Sequence, residues 1–203
     1  MPQPLDYLPE TASQTAGPYV HIGLAPGAAG FEIFDTELGR DIAGPEAAGE
    51  RISIEGIVYD GTGAPVRDVL IEVWQANAAG IYPHPEDPRA GEVGPGFRGW
   101  GRVIPDFETG RFLLRTVKPG PVPGPDGRPM APHLKLWLAA RGINVGLHTR
   151  LYFDDEAAAN AADPVLNLID PPRRATLIAA RDGGGYRFDI RLQGERETVF
   201  FDV

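Results

Sequence analysis

Cysteine is absent from this chain. That excludes a disulfide, a thiolate metal site and a cysteine nucleophile, and it fits a reducing compartment. Serine is nearly as scarce. Ser13 and Ser53 are the only two, and neither lies in the Gly-x-Ser-x-Gly setting of a hydrolase nucleophile. No run of about 18 apolar residues occurs, so no segment reads as a membrane span. The start, Met1-Pro2-Gln3-Pro4-Leu5-Asp6, has neither the basic nor the apolar region of a secretory signal, and a cytoplasmic location is expected. Basic residues are outnumbered: 19 Lys and Arg stand against 28 Asp and Glu, a net charge of −9. That balance argues against nucleic acid and anionic membranes as partners. Zinc-type His-Glu-x-x-His motifs and phosphate-binding glycine loops are missing as well.

What remains is a chain of 203 residues, 42% hydrophobic, with 26 glycines and 21 prolines. The length suits one large domain, and the turn-forming residues point to many strand connections. Residues 1–30 read as an arm, rich in Pro, Gly and Ala, whose Tyr19, Val20, Ile22 and Leu24 could pin it to a surface. Residues 31–203 read as a single β domain. Strands are expected from Arg51 to Tyr59, Val69 to Trp74, Arg111 to Val117, His133 to Ala140, Leu147 to Phe153, Tyr186 to Leu192 and Thr198 to Phe201. Asp154-Asp155-Glu156 opens a short helix through Ala162, with acids at its positive end. Pro172 to Ala180 reads as a second. Residues 83–98 read as a long loop of the kind that carries function. The fold class is therefore all-β and mainly antiparallel: a sandwich with an N-terminal arm and two short helical insertions.

The residues with most chemical information lie in two runs. Val73-Trp74-Gln75-Ala76-Asn77-Ala78-Ala79-Gly80-Ile81-Tyr82 is one. Thr116-Val117-Lys118-Pro119-Gly120-Pro121-Val122-Pro123, followed by Pro132-His133-Leu134-Lys135, is the other. Together they resemble the core of the intradiol ring-cleaving dioxygenases. In that family two tyrosines and a His-x-His pair hold ferric iron. The resemblance places Tyr82 and His133 at two ligand positions, Val122 where the second tyrosine belongs, and Lys135 where the second histidine belongs. Two ligands do not hold a hard trivalent cation, and an ammonium beside it repels it. Tyr82, Val122, His133 and Lys135 therefore read as a vestigial site, with no metal and no catalytic residue in this chain. A salt bridge from Lys135 to a nearby acid is the expected replacement for the lost charge, and restoring Tyr at 122 and His at 135 is expected to rebuild the site in part. A carboxylate-rich alternative around His84, Glu86 and Asp87 competes with plain solvation of a charged loop.

The likeness continues through Ala140-Arg141-Gly142-Ile143-Asn144, Thr149-Arg150-Leu151-Tyr152-Phe153, Pro164-Val165-Leu166 and Tyr186-Arg187-Phe188-Asp189-Ile190. It implies a two-chain member of the family, in which an iron-free chain pairs with a homologous chain bearing Fe(III), in assemblies of several such pairs. The implied substrates at the shared site are 3,4-dihydroxybenzoate and dioxygen. Thr15, Gly17, Pro18 and Arg141 match the segments that reach the partner's pocket, where a guanidinium can face a substrate carboxylate. Without the resemblance, Arg141 would read as a surface charge and residues 15–18 as a linker. A rival reading rests on Gly56-x-Val58-x-Asp60-x-x-Gly63-x-Pro65-Val66, a strand-turn-strand device shared with transthyretin-like and carboxypeptidase-regulatory-like binding modules.

Overall fold

The computed structural model describes residues 15–17, 19–35 and 39–202. Pro18 and the first 14 residues of the expected arm lie outside the described residues. The elements in chain order are α1 (Val20–Leu24), β1 (Arg51–Tyr59), β2 (Leu70–Trp74), β3 (Trp100–Val103), β4 (Arg111–Val117), β5 (Val122–Pro123), β6 (Pro129–Met130), β7 (His133–Ala139) and β8 (Leu147–Phe153). These are followed by α2 (Ala157–Ala162), α3 (Pro171–Arg174), β9 (Ile178–Asp182), β10 (Gly185–Arg187) and β11 (Ile190–Arg191).

Two layers face each other. In one, β4 pairs antiparallel with β1, while β10 and β11 lie parallel to it. In the other the order is β8-β7-β2-β3, antiparallel throughout. β9 joins them: Ile178 and Ala179 run parallel to Tyr152 and Phe153, and Ala180 to Asp182 then pair with β10. A strand that changes layers in this way forms the corner of a sandwich.

Alternation of side chains decides what each layer buries. Ile52, Ile54 and Val58 of β1 point inward, as do Phe112 and Leu114 of β4, Ile71 and Val73 of β2, Leu134, Leu136 and Leu138 of β7, and Leu151 of β8. They form one core with Phe153, Tyr186 and Phe188. The Phe153 and Tyr186 rings meet edge to face at 4.9 Å, a favoured aromatic geometry. Truncating a wholly buried member such as Leu138 to Ala would cost about 2–5 kcal/mol. Gly56 sits in β1 because a side chain there would run into the Phe188 carbonyl.

Four expectations need correction. Residues 20–24, expected to lack regular structure, form α1. The second helix begins at Pro171 and ends in a 3-10 turn at Leu177, and Ile178 to Ala180 belong to β9. Hydrogen-bond pairing with β8 and β10 overrides the helical propensity of the alanines there. The late strand from Tyr186 to Leu192 is split, because Asp189 turns back to accept the Ile57 amide at 2.9 Å. Thr198 to Phe201 contributes only a bridge from Phe201 to His148.

Candidate functional site

The second layer turns its other face outward. Trp74, Lys135 and Arg150 are cross-strand neighbours on that face, and His133 lies opposite Tyr152. Above them lies a pocket of about 550 Å³ whose lining includes Trp74, Tyr82, His84, Glu86, Asp87, Arg89, Val122 and Lys135. The structure thus brings together three of the four positions singled out from the sequence, and buried His133 lies two residues from Lys135 on the same face.

The end of β2 presents Trp74, and a tightly tied loop delivers Tyr82 beside it. Buried Gln75 accepts from the Thr116 hydroxyl at 2.7 Å and donates to the Val117 carbonyl at 2.9 Å. That locks the end of β2 to the end of β4. Asn77 accepts the amides of Ala79 and Ile81 at 3.0 and 2.9 Å and receives the Gly120 amide on its carbonyl. Gly80, at φ 74°, passes beneath the Pro121 carbonyl, where any side chain would collide; only glycine suits both demands. The Asp87 carboxylate accepts the Tyr82 amide at 3.0 Å and is paired with Arg89 at 3.3 Å. Tyr82 consequently stacks on Trp74 at 5.8 Å and packs against Val122, Ala76 and Met130.

Burial and the Arg150 guanidinium set the electrostatics of these positions. The ring of His133 places Nδ1 2.8 Å from the Ala131 carbonyl. A carbonyl only accepts, so Nδ1 carries the proton and Nε2 holds the lone pair. Nε2 is buried and has no hydrogen-bond partner among the described residues. Burial, reinforced by the Arg150 guanidinium, holds the imidazole pKa down to about 4. Burial also pushes the Tyr82 phenol upward, with Arg150 opposing it. Tyr152 is raised by burial to about 12. Desolvation and then Arg150 depress the Lys135 ammonium.

The expected salt bridge of Lys135 is not found. Among the described residues no carboxylate lies within ion-pair distance of it. Its ammonium instead lies over the Tyr82 ring, 5.7 Å from the centroid, a cation–π contact.

These residues do not fit ferric iron. One imidazole nitrogen and one phenol are available, while Val122 offers no donor and Lys135 offers a positive charge. The alternative around His84 does not assemble either. His84 meets the edge of Trp74 at 6.0 Å and accepts the Glu86 amide at 3.2 Å. Among the described residues no group of three or more His, Cys, Asp or Glu is placed to hold a metal ion.

The other candidates lie at the far end of β7, roughly 20 Å from Lys135 at the rise of an extended strand. Thr15 accepts the Gly142 amide at 2.8 Å and donates to the Ala140 carbonyl at 3.2 Å. Arg141 is paired with Asp68 at 2.8 Å and borders a pocket of about 700 Å³ that also includes Arg67, Ile143 and Gln193. The structure therefore unites Thr15 with the Arg141 turn. Gly17 is exposed, with no atom within 4 Å of where a side chain would begin.

Sequence reasoning missed Asp68 as the partner of Arg141, and it took Arg150 only as part of a matching segment. It also missed Asp163. That carboxylate is wholly buried and accepts the amides of Ala131, Val165 and Leu166 at 2.7, 2.9 and 2.6 Å. It thereby holds the turn before β7 that carries His133.

Comparison with known proteins agrees with this geometry. The family profile described as Dioxygenase matches residues 29–194, and the chain belongs to the dioxygenase family. Over 98% of its length it is 57% identical to the protocatechuate 3,4-dioxygenase alpha chain of Pseudomonas putida, of which it covers 99%. It is 38% identical to the beta chain of the same enzyme from Burkholderia cepacia, matching 75% of this chain and 68% of that one. Among solved structures, 3-chlorocatechol 1,2-dioxygenase from Rhodococcus opacus superposes on it with a TM-score of 0.57 at 26% identity, covering 76% of this chain and 64% of that one.

Proposed function

We propose that this chain is the iron-free alpha subunit of a protocatechuate 3,4-dioxygenase. In this reading a homologous beta chain carries the Fe(III), and the pair opens protocatechuate with dioxygen between its two hydroxyl-bearing carbons, giving 3-carboxy-cis,cis-muconate. The observation that carries it is the retention of the pocket alongside the loss of two of its four donors, at Val122 and Lys135. The likeness to both alpha and beta chains supports the pairing. The metal-activated chemistry belongs to the partner. The reading is of a cytoplasmic complex of several αβ units; no helix among the described residues is long and apolar enough to cross a membrane.

The chain's own contribution lies at the Thr15 and Arg141 end. The arm, residues 1–30, packs on the partner, and Thr15, Gly17, Pro18 and Arg141 complete the wall of the partner's pocket. Thr15 ties the arm to the turn after β7, so arm and guanidinium are positioned as one unit. Arg141 is held by Asp68 on one side while its side chain remains 62% exposed. That leaves donors free for the carboxylate of protocatechuate, with which a guanidinium pairs in a charge-assisted hydrogen bond. The small, exposed Gly17 permits close approach of the arm's backbone. Co-expression with a homologous iron-bearing beta chain tests the reading. The pair should show the visible colour of ferric tyrosinate and cleave protocatechuate, while this chain alone should be colourless and inactive.

The sandwich binding-module alternative predicts likeness confined to the strand-turn-strand segment from Gly56 to Val66. The match over 98% of the chain does not favour it.

A further inference from the structure

Loss of two ligands does not by itself account for the cations gathered at the vestigial site. Lys135 and Arg150 lie directly opposite each other on β7 and β8, where like charges repel. Neither is in an ion pair with a carboxylate among the described residues. The Arg150 Nη1 lies 3.3 Å from the Tyr152 hydroxyl and 3.4 Å from Met130 Sδ. Tyr152 tilts against the His133 ring at 5.5 Å, and Met130 pairs with Val122 and packs with Tyr82. The guanidinium therefore stands between the His133 side and the Tyr82–Val122 side of the old site. Phe201 closes over it, 5.7 Å from the ring centroid to the guanidinium carbon. Asp163 reaches the Tyr152 hydroxyl at 3.4 Å and is already engaged by three backbone amides, and Asp87, across the pocket, is paired with Arg89.

We infer that Arg150 is a fixed cation built in beside the lost metal position, which opposes multivalent metal ions even where the missing ligands are restored. A guanidinium keeps its charge across the working pH range, so the opposition is permanent, whereas an ammonium such as that of Lys135 can be replaced or discharged. It follows that Val122→Tyr with Lys135→His is not sufficient to rebuild the site, contrary to the expectation from the sequence. The inference rests on reading Tyr82, Val122, His133 and Lys135 as the positions of a former metal site.

The test is iron content per αβ pair, measured by metal analysis with the ferric-phenolate absorbance as a second readout. The wild-type pair and the V122Y/K135H pair should each hold one iron, in the partner. V122Y/K135H/R150Q should hold two, with the absorbance roughly doubled. V122Y/K135H/R150K, which keeps the charge, should return to one. A second iron in V122Y/K135H would overturn the inference, as would one iron in an assembled V122Y/K135H/R150Q pair. Failure of only the Arg150→Gln form to assemble would also count against it, because the side chain would then be holding the fold. These outcomes are distinct from failure of the functional reading, which would show as a wild-type pair holding no iron.

Discussion

Thr15 clasps the turn that follows β7: the Gly142 amide donates to its hydroxyl at 2.8 Å, and the hydroxyl donates onward to the Ala140 carbonyl at 3.2 Å. One side chain near the N-terminus thus fixes both the arm and the segment bearing Arg141. Thr15→Val keeps the shape and removes both bonds. With each bond contributing about 0.5–1.5 kcal/mol, the variant should raise hydrogen exchange at Gly142, raise KM for protocatechuate in the αβ complex and lower the melting temperature by a few degrees. Unaltered exchange and KM would return the arm to a linker.

Arg141→Ala should weaken turnover of protocatechuate by the complex more than turnover of catechol. A charge-assisted hydrogen bond to a carboxylate contributes roughly 1.5–3 kcal/mol, so kcat/KM for the carboxylated substrate should fall about one to two powers of ten. Catechol lacks the carboxylate and should change little. Equal losses on both substrates in steady-state kinetics would show that Arg141 acts through the interface instead.

His133 should leave a signature in the acid limb of stability. Its folded pKa is held at about 4, below the ordinary 6.5. Between those values the unfolded chain takes up a proton that the folded chain refuses, so stability falls as pH drops from 6.5 to about 4 and is fully present above that window. Integrated over the window this amounts to about 3 kcal/mol. Urea titrations from pH 7 to 4 should show the decline in the wild type and a shallower one in His133→Asn. Parallel curves would contradict the assignment.

Lys118 anchors the turn leading to Val122. Its ammonium lies 3.0 Å from Asp155 and 2.8 Å from Glu156, and 5.3 Å from the centroid of Phe153. Burial opposes its charge, but the two carboxylates outweigh burial and hold its pKa above the ordinary lysine value. Lys118→Met should therefore destabilise the chain, by about 1–3 kcal/mol, in chemical denaturation near neutral pH. An unchanged midpoint would show the network to be ornamental.

The sequence made the strands with strict alternation legible, because β1 and β4 each bury one face. It misread Ile178 to Ala180, where the alanines favour a helix but pairing between two layers decides. The short β3 and the β5–β6 hairpin carry too few residues for a period to emerge. At the site, Tyr82, Val122, His133 and Lys135 were legible because the flanking Trp74-Gln75-Ala76-Asn77 and Pro119-Gly120 residues have fixed jobs: Gln75 ties two strands, and Gly80 and Asn77 shape the loop. Arg150 was not legible as a neighbour of that site. Its meaning comes from cross-strand register, which places it against Lys135 and Tyr152 and which no local pattern encodes.

In the proposed function this chain completes the substrate pocket of a partner whose iron it does not itself hold. Iron content of the purified chain, alone and after assembly with its beta partner, tests it most directly. The account predicts no stoichiometric iron in the isolated chain and one iron per αβ pair, with protocatechuate cleavage appearing only in the pair. One tightly bound iron in the isolated chain, or ring cleavage by it without a partner, would contradict it.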